Sequence, residues 1–124
     1  MSLGLSLGLS LGSNSGPRPQ PNPTDKVCGA IHSFHQISAK RGNKDFVLSP
    51  HVIYWKASRP DEFWLDAVVV SEGGNEPNKP KLKSFELADL ELITVLEASF
   101  EPFVGFHADD PEYAGKTRCI IQPV

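Results

Sequence analysis

FWLDAVVV, Phe63–Val70, decides how this chain is read. Five of its eight residues are β-branched or aromatic, which suits a pleated, half-buried surface. As a strand it places Phe63, Leu65, Ala67 and Val69 on one face and Trp64, Asp66, Val68 and Val70 on the other. One set fills a core. The other leaves two readings open. Trp64 beside Asp66 either lines a groove suited to a cationic or amphipathic ligand, or it forms the second half of a core under an N-terminal helix.

Working upstream, Ser58–Glu62 with Pro60 and Asp61 reads as a type I turn. His51–Lys56 before it reads as a strand, and Phe46–Leu48 as another that Pro50 breaks. Gln36–Ala39 and Phe46–Leu48 flank the charged turn Lys40–Asp45, where Gly42-Asn43 marks a hairpin tip. Asp25 is placed to cap a short helix over Lys26–Phe34, with Val27, Ala30, Ile31 and Phe34 on one face. Downstream, Ser71–Lys81 is a polar loop and Leu82–Leu87 a short strand. Ala88–Leu92 is a turn or one helical turn, and Ile93–Leu96 a core strand. Phe100–Tyr113 is irregular, with Pro102, Gly105 and Pro111, and Thr117–Gln122 has room for a strand or helical turn. The expectation is a mainly β fold, a small β-barrel with one short N-terminal helix.

The chain has 124 residues, enough for one domain. Residues 1–24 differ from the rest. Leu3, Leu5, Leu7, Leu9 and Leu11 alternate with Ser or Gly, and GPRPQPNPT (Gly16–Thr24) has Pro at alternate positions. Gly at every fourth place opposes both helix and stable strand. This segment is expected to be a disordered tail followed by an extended linker, with Asp25–Val124 as the folded domain. The alternative is a strand that adds to a sheet edge in trans. The segment lacks the basic start and continuous apolar run of a secretory signal.

Net charge is −3, and the only charge before Asp25 is Arg18, so the domain carries about −4. That disfavours general affinity for a nucleic-acid backbone. The sequence has no apolar run long enough to cross a membrane as a helix. Cys28 and Cys119 are too few for a disulfide framework. They lie near the two ends of the domain and could meet, but the expectation is two free thiols in a reducing cytoplasm.

Three segments fall in a particular order: SPHVIYW (Ser49–Trp55), the triplet Phe63-Trp64-Leu65 within FWLDAVVV, and KSFELADLELITVLEASF (Lys83–Phe100). Together they resemble the WYL-domain family, named for a Trp-Tyr-Leu triplet at the second place. The likeness covers about Ala30–Phe100, and the tail FVGFHADDPEY resembles the end of small stand-alone members. Phe85, Leu87, Leu90, Ile93 and Phe100 stand at the family's apolar positions of the third segment. The resemblance implies an Sm-like or SH3-like β-barrel and a regulatory, ligand-sensing role, in some members through nucleotides or nucleic-acid fragments held by basic residues. The departures are informative. Asp66, Glu86 and Asp89 stand where the family often carries Arg, and each reversal changes the local charge by two units. A surface remade in this way repels phosphate.

Other constellations are weaker. Cys28, His32 and His35 fall at helical spacing, with Cys119 as a possible fourth metal ligand. Ile31 and Phe34 claim the core face, so a half-exposed histidine pair is expected and no metal. Gly73-Gly74 lacks the setting and the following Lys of a phosphate loop and reads as a hairpin tip. Asp109, Asp110 and Glu112 read as a solvated acidic turn. Ser33, Ser38 or Ser49 with His51 has nothing to orient it as nucleophile and base. Lys40, Arg41 and Lys44 form a compact basic cluster at a hairpin tip, and Lys79, Lys81 and Lys83 form a second.

The expected function is therefore non-enzymatic: a ligand-sensing or regulatory WYL-like domain, cytoplasmic, without cofactor, and with weakened nucleotide or nucleic-acid binding. Its partner is an unknown small ligand or protein, and no membrane is involved. The expected surface is Trp64, Asp66, Lys83 and Asp89, with His51 and Tyr54 on the neighbouring strand. The alternative is a protein-interaction adaptor that pairs through an exposed sheet edge.

Overall fold

Asn22, not Asp25, caps the helix. In the computed structural model, which describes residues 22–122, the Asn22 side chain accepts the Asp25 N–H at 2.8 Å and caps α1, Pro23–Ser33. Pro23 takes the first helical position, where a missing N–H costs nothing. The helix thus begins two residues inside the segment expected to be linker. Asp25 sits in the first turn, where its charge suits the helix dipole, and pairs with Arg118 at 3.0 Å. Phe34 ends the helix in the left-handed region, its N–H reaching back to the carbonyls of Ala30 and Ile31. The alternating Leu segment lies outside the described residues.

Six antiparallel strands follow: β1 His35–Arg41, β2 Lys44–Lys56, β3 Arg59–Glu72, β4 Leu82–Glu86, β5 Glu91–Ser99 and β6 Thr117–Ile120. The order across the sheet is β4-β3-β2-β1-β5, and β6 pairs with β2. Gly42, at φ 61, takes the first place of the two-residue β1–β2 turn, a position that favours glycine. A short 3-10 turn, Leu87–Asp89, joins β4 to β5. The fold is mainly β with one short helix, as expected, but the sheet is open rather than closed into a barrel: no pairing joins β4 to β5 among the described residues.

Two prolines behave differently from expectation. Pro50 does not break the strand. β2 runs through it because the β2–β3 register shifts between Pro50 and Val52, and a bulge tolerates a missing donor. On its other edge β2 pairs with β1 up to Leu48 and with β6 from Val52. Pro60 is likewise inside β3. The turn lies at Ala57-Ser58, and Pro60–Glu62 fall in the register shift between Trp55↔Phe63 and Lys56↔Arg59.

The sheet buries two cores. Leu65, Ala67 and Val69 face the larger one, with Ile37, Leu48, Ile53 and Phe85 and with Val27, Ala30 and Ile31 of α1. The other face carries Val52, Tyr54 and Tyr113, with Trp64, Phe106 and Ile120 packed against them. The helix covers the first face only. The second is covered by the irregular segment between β5 and β6.

Cys28 and Cys119 are not free thiols. They form a disulfide, with Cα atoms 5.7 Å apart. Both lie inside the larger core, Cys28 on the buried face of α1 and Cys119 on β6, which packs beneath the helix. The expectation of a cytoplasmic location rested on free thiols and loses that support. The imagined metal face is also undone. Its two sulfurs are bonded to each other, His32 is exposed, and His35 Nδ1 is 3.0 Å from Ser33 Oγ.

Candidate functional site

Four of the six expected site residues come together and two do not. Trp64, Asp66, Tyr54 and His51 gather at the smaller core. Asp66 lies opposite Ser84 on β4 and Val52 on β2, which places Tyr54 diagonally beside it. Its Oδ1 accepts the hydroxyls of Tyr54 at 3.0 Å and Ser84 at 2.6 Å, and its Oδ2 accepts that of Tyr113. Asp66 is only 4% exposed, so a buried carboxylate is satisfied by three hydroxyls. Burial raises the pKa of both tyrosines above the ordinary phenol value, and the carboxylate beside them adds to the shift.

His51 is fully buried. Its Nδ1 lies 2.8 Å from the Ser49 carbonyl, and its Nε2 accepts the Phe103 N–H at 2.9 Å. An acceptor on one side and a donor on the other fix the neutral imidazole with its proton on Nδ1. Burial lowers the pKa of His51, against the Ser49 hydrogen bond and the charge of Asp66, which raise it. Phe100 and Phe106 pack on its ring at 5.3 and 5.1 Å. Trp64 is half-buried, with Lys56 Nζ 4.0 Å above its ring and its indole N–H buried without a partner. The expected groove is therefore filled by the chain's own Phe106 and Tyr113. Of the two readings for Trp64, a second core is the nearer, but under the 100–116 segment rather than the helix.

Lys83 and Asp89 lie elsewhere. Asp89 is exposed on the 3-10 turn. Glu86, another of the reversed positions, lines a cleft of about 340 Å3 with Asp61 and Glu62 beside the start of α1. Lys83 is on the opposite face from Asp66, at the open end of the larger core. There its Nζ is 3.9 Å from Glu72, which also receives Lys44 Nζ at 2.7 Å. Lys44 of the first basic cluster meets Lys79, Lys81 and Lys83, the second, at this place, on the wall of a cavity of about 660 Å3. That convergence was missed in the sequence. The signal available was the pair of glycines at the tip of the β3–β4 connection, which lets the second cluster fold back over the first.

No family model matches the sequence, and no curated protein matches it. Among solved structures, the chain is similar to proteasome accessory factor B/C (PafBC) of Arthrobacter aurescens, with a TM-score of 0.55 and 22% identity. The match covers 74% of this chain and 14% of that one, and it is a likeness of fold.

Proposed function

We propose that this chain is a regulatory module of the WYL kind, built on an open antiparallel sheet with one helix packed on it, that recognises a ligand or partner and performs no chemistry itself. The order of its three characteristic segments and the fold shared with part of PafBC, a WYL-domain-containing regulator, support this reading. The observation that carries it is how the polar groups are used. The buried pair that could have served as acid and base, Asp66 and His51, has its oxygens and both ring nitrogens engaged by hydroxyls and backbone. The cavity of about 660 Å3 is instead lined by four lysines against two glutamates, exposed charges suited to recognition. On this reading Lys83 belongs to the ligand surface, and Trp64, Asp66, Tyr54 and His51 hold up the sheet beneath it.

Nucleic-acid binding is weak on the same reading, because Asp66 is buried and Glu86 and Asp89 are acidic where the family often carries Arg. Fluorescence anisotropy of a short single-stranded oligonucleotide with the full chain tests this. Weak, salt-sensitive binding is expected, and tight binding at physiological salt overturns it. Following any bound small molecule by NMR tests the rest: it is recovered unchanged, and appearance of a product overturns the non-enzymatic reading.

A second reading, an adaptor that pairs through a sheet edge, is favoured by β5. Among the described residues that strand has one partner, β1, and it exposes Leu92 at 78% and Val95 at 39%. Light scattering of the full chain and of a Leu92→Lys, Val95→Lys variant separates the two. A dimer that the variant dissolves supports the adaptor, and monomers in both cases remove self-pairing through β5.

A further inference from the structure

The backbone brings Lys44 of the first basic cluster and the whole of the second to one cavity. The Gly73 N–H donates to the Asp45 carbonyl at 2.7 Å, tying the connection after β3 to the tip of the β1–β2 hairpin. Gly73 and Gly74, at φ 59 and 84, turn the chain so that Glu72 and Asn75 exchange backbone hydrogen bonds at 2.9 and 3.1 Å. The segment carrying Lys79 and Lys81 then folds over the end of β2, where Lys44 stands. The walls hold Lys44, Lys79, Lys81 and Lys83 against Glu72 and Glu76, a local excess of positive charge in a chain of net charge −3.

A solvated lysine surface would leave these cations unanchored. Here Lys83 Nζ lies 5.9 and 5.7 Å from the ring centres of Phe46 and Phe85, and the Arg41 guanidinium lies over the same two rings at 5.3 and 5.0 Å. Aromatic faces at the end of the larger core hold Lys83, one of the four lining lysines, and Arg41 beside the cavity. Glu72 shows what they accept. Its carboxylate takes the hydrogen bond of Lys44 and sits beside Lys83. That hydrogen bond, helped by the charges of Lys44, Lys83 and Arg41 and opposed by partial desolvation, holds Glu72 below the usual carboxylate range. Lys79 and Lys81 form no ion pair among the described residues. Val69 supplies an apolar wall and Asn75 an amide at the rim.

We propose that this cavity binds a small organic polyanion, with two or more negative charges close together, that replaces the Glu72 carboxylate on Lys44 and Lys83 and recruits Lys79 and Lys81. The proposal rests on the non-catalytic reading above and names the class of ligand. A volume of about 660 Å3 suits a small molecule. The acidic remainder of the surface repels a long polyanion.

Calorimetry on the full chain tests it, with inorganic pyrophosphate and citrate as separate probes for phosphoryl and carboxylate ligands and a single-stranded oligonucleotide as a third arm. Saturable one-site binding of pyrophosphate or citrate at physiological salt is expected. The double variant Lys44→Gln, Lys83→Gln should weaken it by about tenfold or more, and Glu72→Gln should tighten it by roughly threefold. Thermal unfolding curves of all variants should overlay that of the parent. Absence of saturable binding by both small probes, or equal affinity in parent and double variant, overturns the site and leaves the non-catalytic reading standing. An oligonucleotide that binds more tightly than either small probe overturns both the small-ligand assignment and the expected weakness toward nucleic acid.

Discussion

Asp66 and Glu72 lie on the same strand, and both are paired, but they sit in opposite surroundings. Asp66 is 4% exposed and takes hydroxyls from two tyrosines and a serine, with the 100–116 segment closed over it. Glu72 has a side chain 33% exposed and is shared between two lysines that are themselves 62% and 39% exposed. A buried carboxylate without its donors is costly, so the first arrangement is committed to holding the fold. Exposed ion pairs exchange partners at little cost, so the second is free to meet another anion. One strand thus supports a closed face and an open cavity. The difference comes from what covers each end and not from the residue type.

The largest effect is expected in the larger core, on the face that α1 covers. The disulfide Cys28–Cys119 spans 91 residues, and loop-closure entropy makes its removal worth roughly 4 kcal/mol. Denaturant unfolding with and without reductant should show that loss, and an unchanged midpoint would mean that packing alone joins α1 to β6. Asp66→Ala should cost about 3 kcal/mol, because it leaves three hydroxyls without their acceptor. A cost near that of a surface substitution would show that the Tyr113 segment is not closed over the face that carries Asp66.

His51 gives a smaller effect, with a definite sign. Its folded pKa lies below the unfolded value of 6.5, so the unfolded chain binds the proton more readily. Its contribution is complete above pH 6.5 and declines as pH falls toward the lowered folded value, because a protonated ring can no longer accept the Phe103 N–H. Unfolding midpoints measured from pH 8 to pH 5 should fall, and His51→Gln should flatten that slope. On the open side Lys44→Gln should leave the midpoint where it was while weakening anion binding. A clear loss of stability would make the lysine cavity part of the scaffold after all.

Much of this was readable in the chain. FWLDAVVV lies within β3 with the expected alternation, Gly42-Asn43 is a hairpin turn, and Val27, Ala30 and Ile31 face the core. Those features depend on neighbours within a few residues, where side-chain period and turn chemistry act. Pro50 and Pro60 misled because a bulge forms only once the partner strand is present. The disulfide and the Asp66–Tyr113 bond join residues far apart in sequence, and nothing local encodes them, while the approach of Lys79, Lys81 and Lys83 to Lys44 had only Gly73-Gly74 as a local signal. The three acidic departures from the WYL pattern proved to have separate settings. Asp66 is internal, Glu86 lines an acidic cleft and Asp89 is exposed on a turn.

β2 leans on β1 along its first half and on β6 along its second, so its edge is completed only by a segment near the other end of the described chain. During synthesis the first four strands can pair as they leave the ribosome, but the aromatic surface around Tyr54 stays bare until Tyr113 and Ile120 have been made. A nascent chain of this kind is at its stickiest before β6 has emerged. Its yield in a cell therefore depends on chaperones and on how promptly the last strand docks.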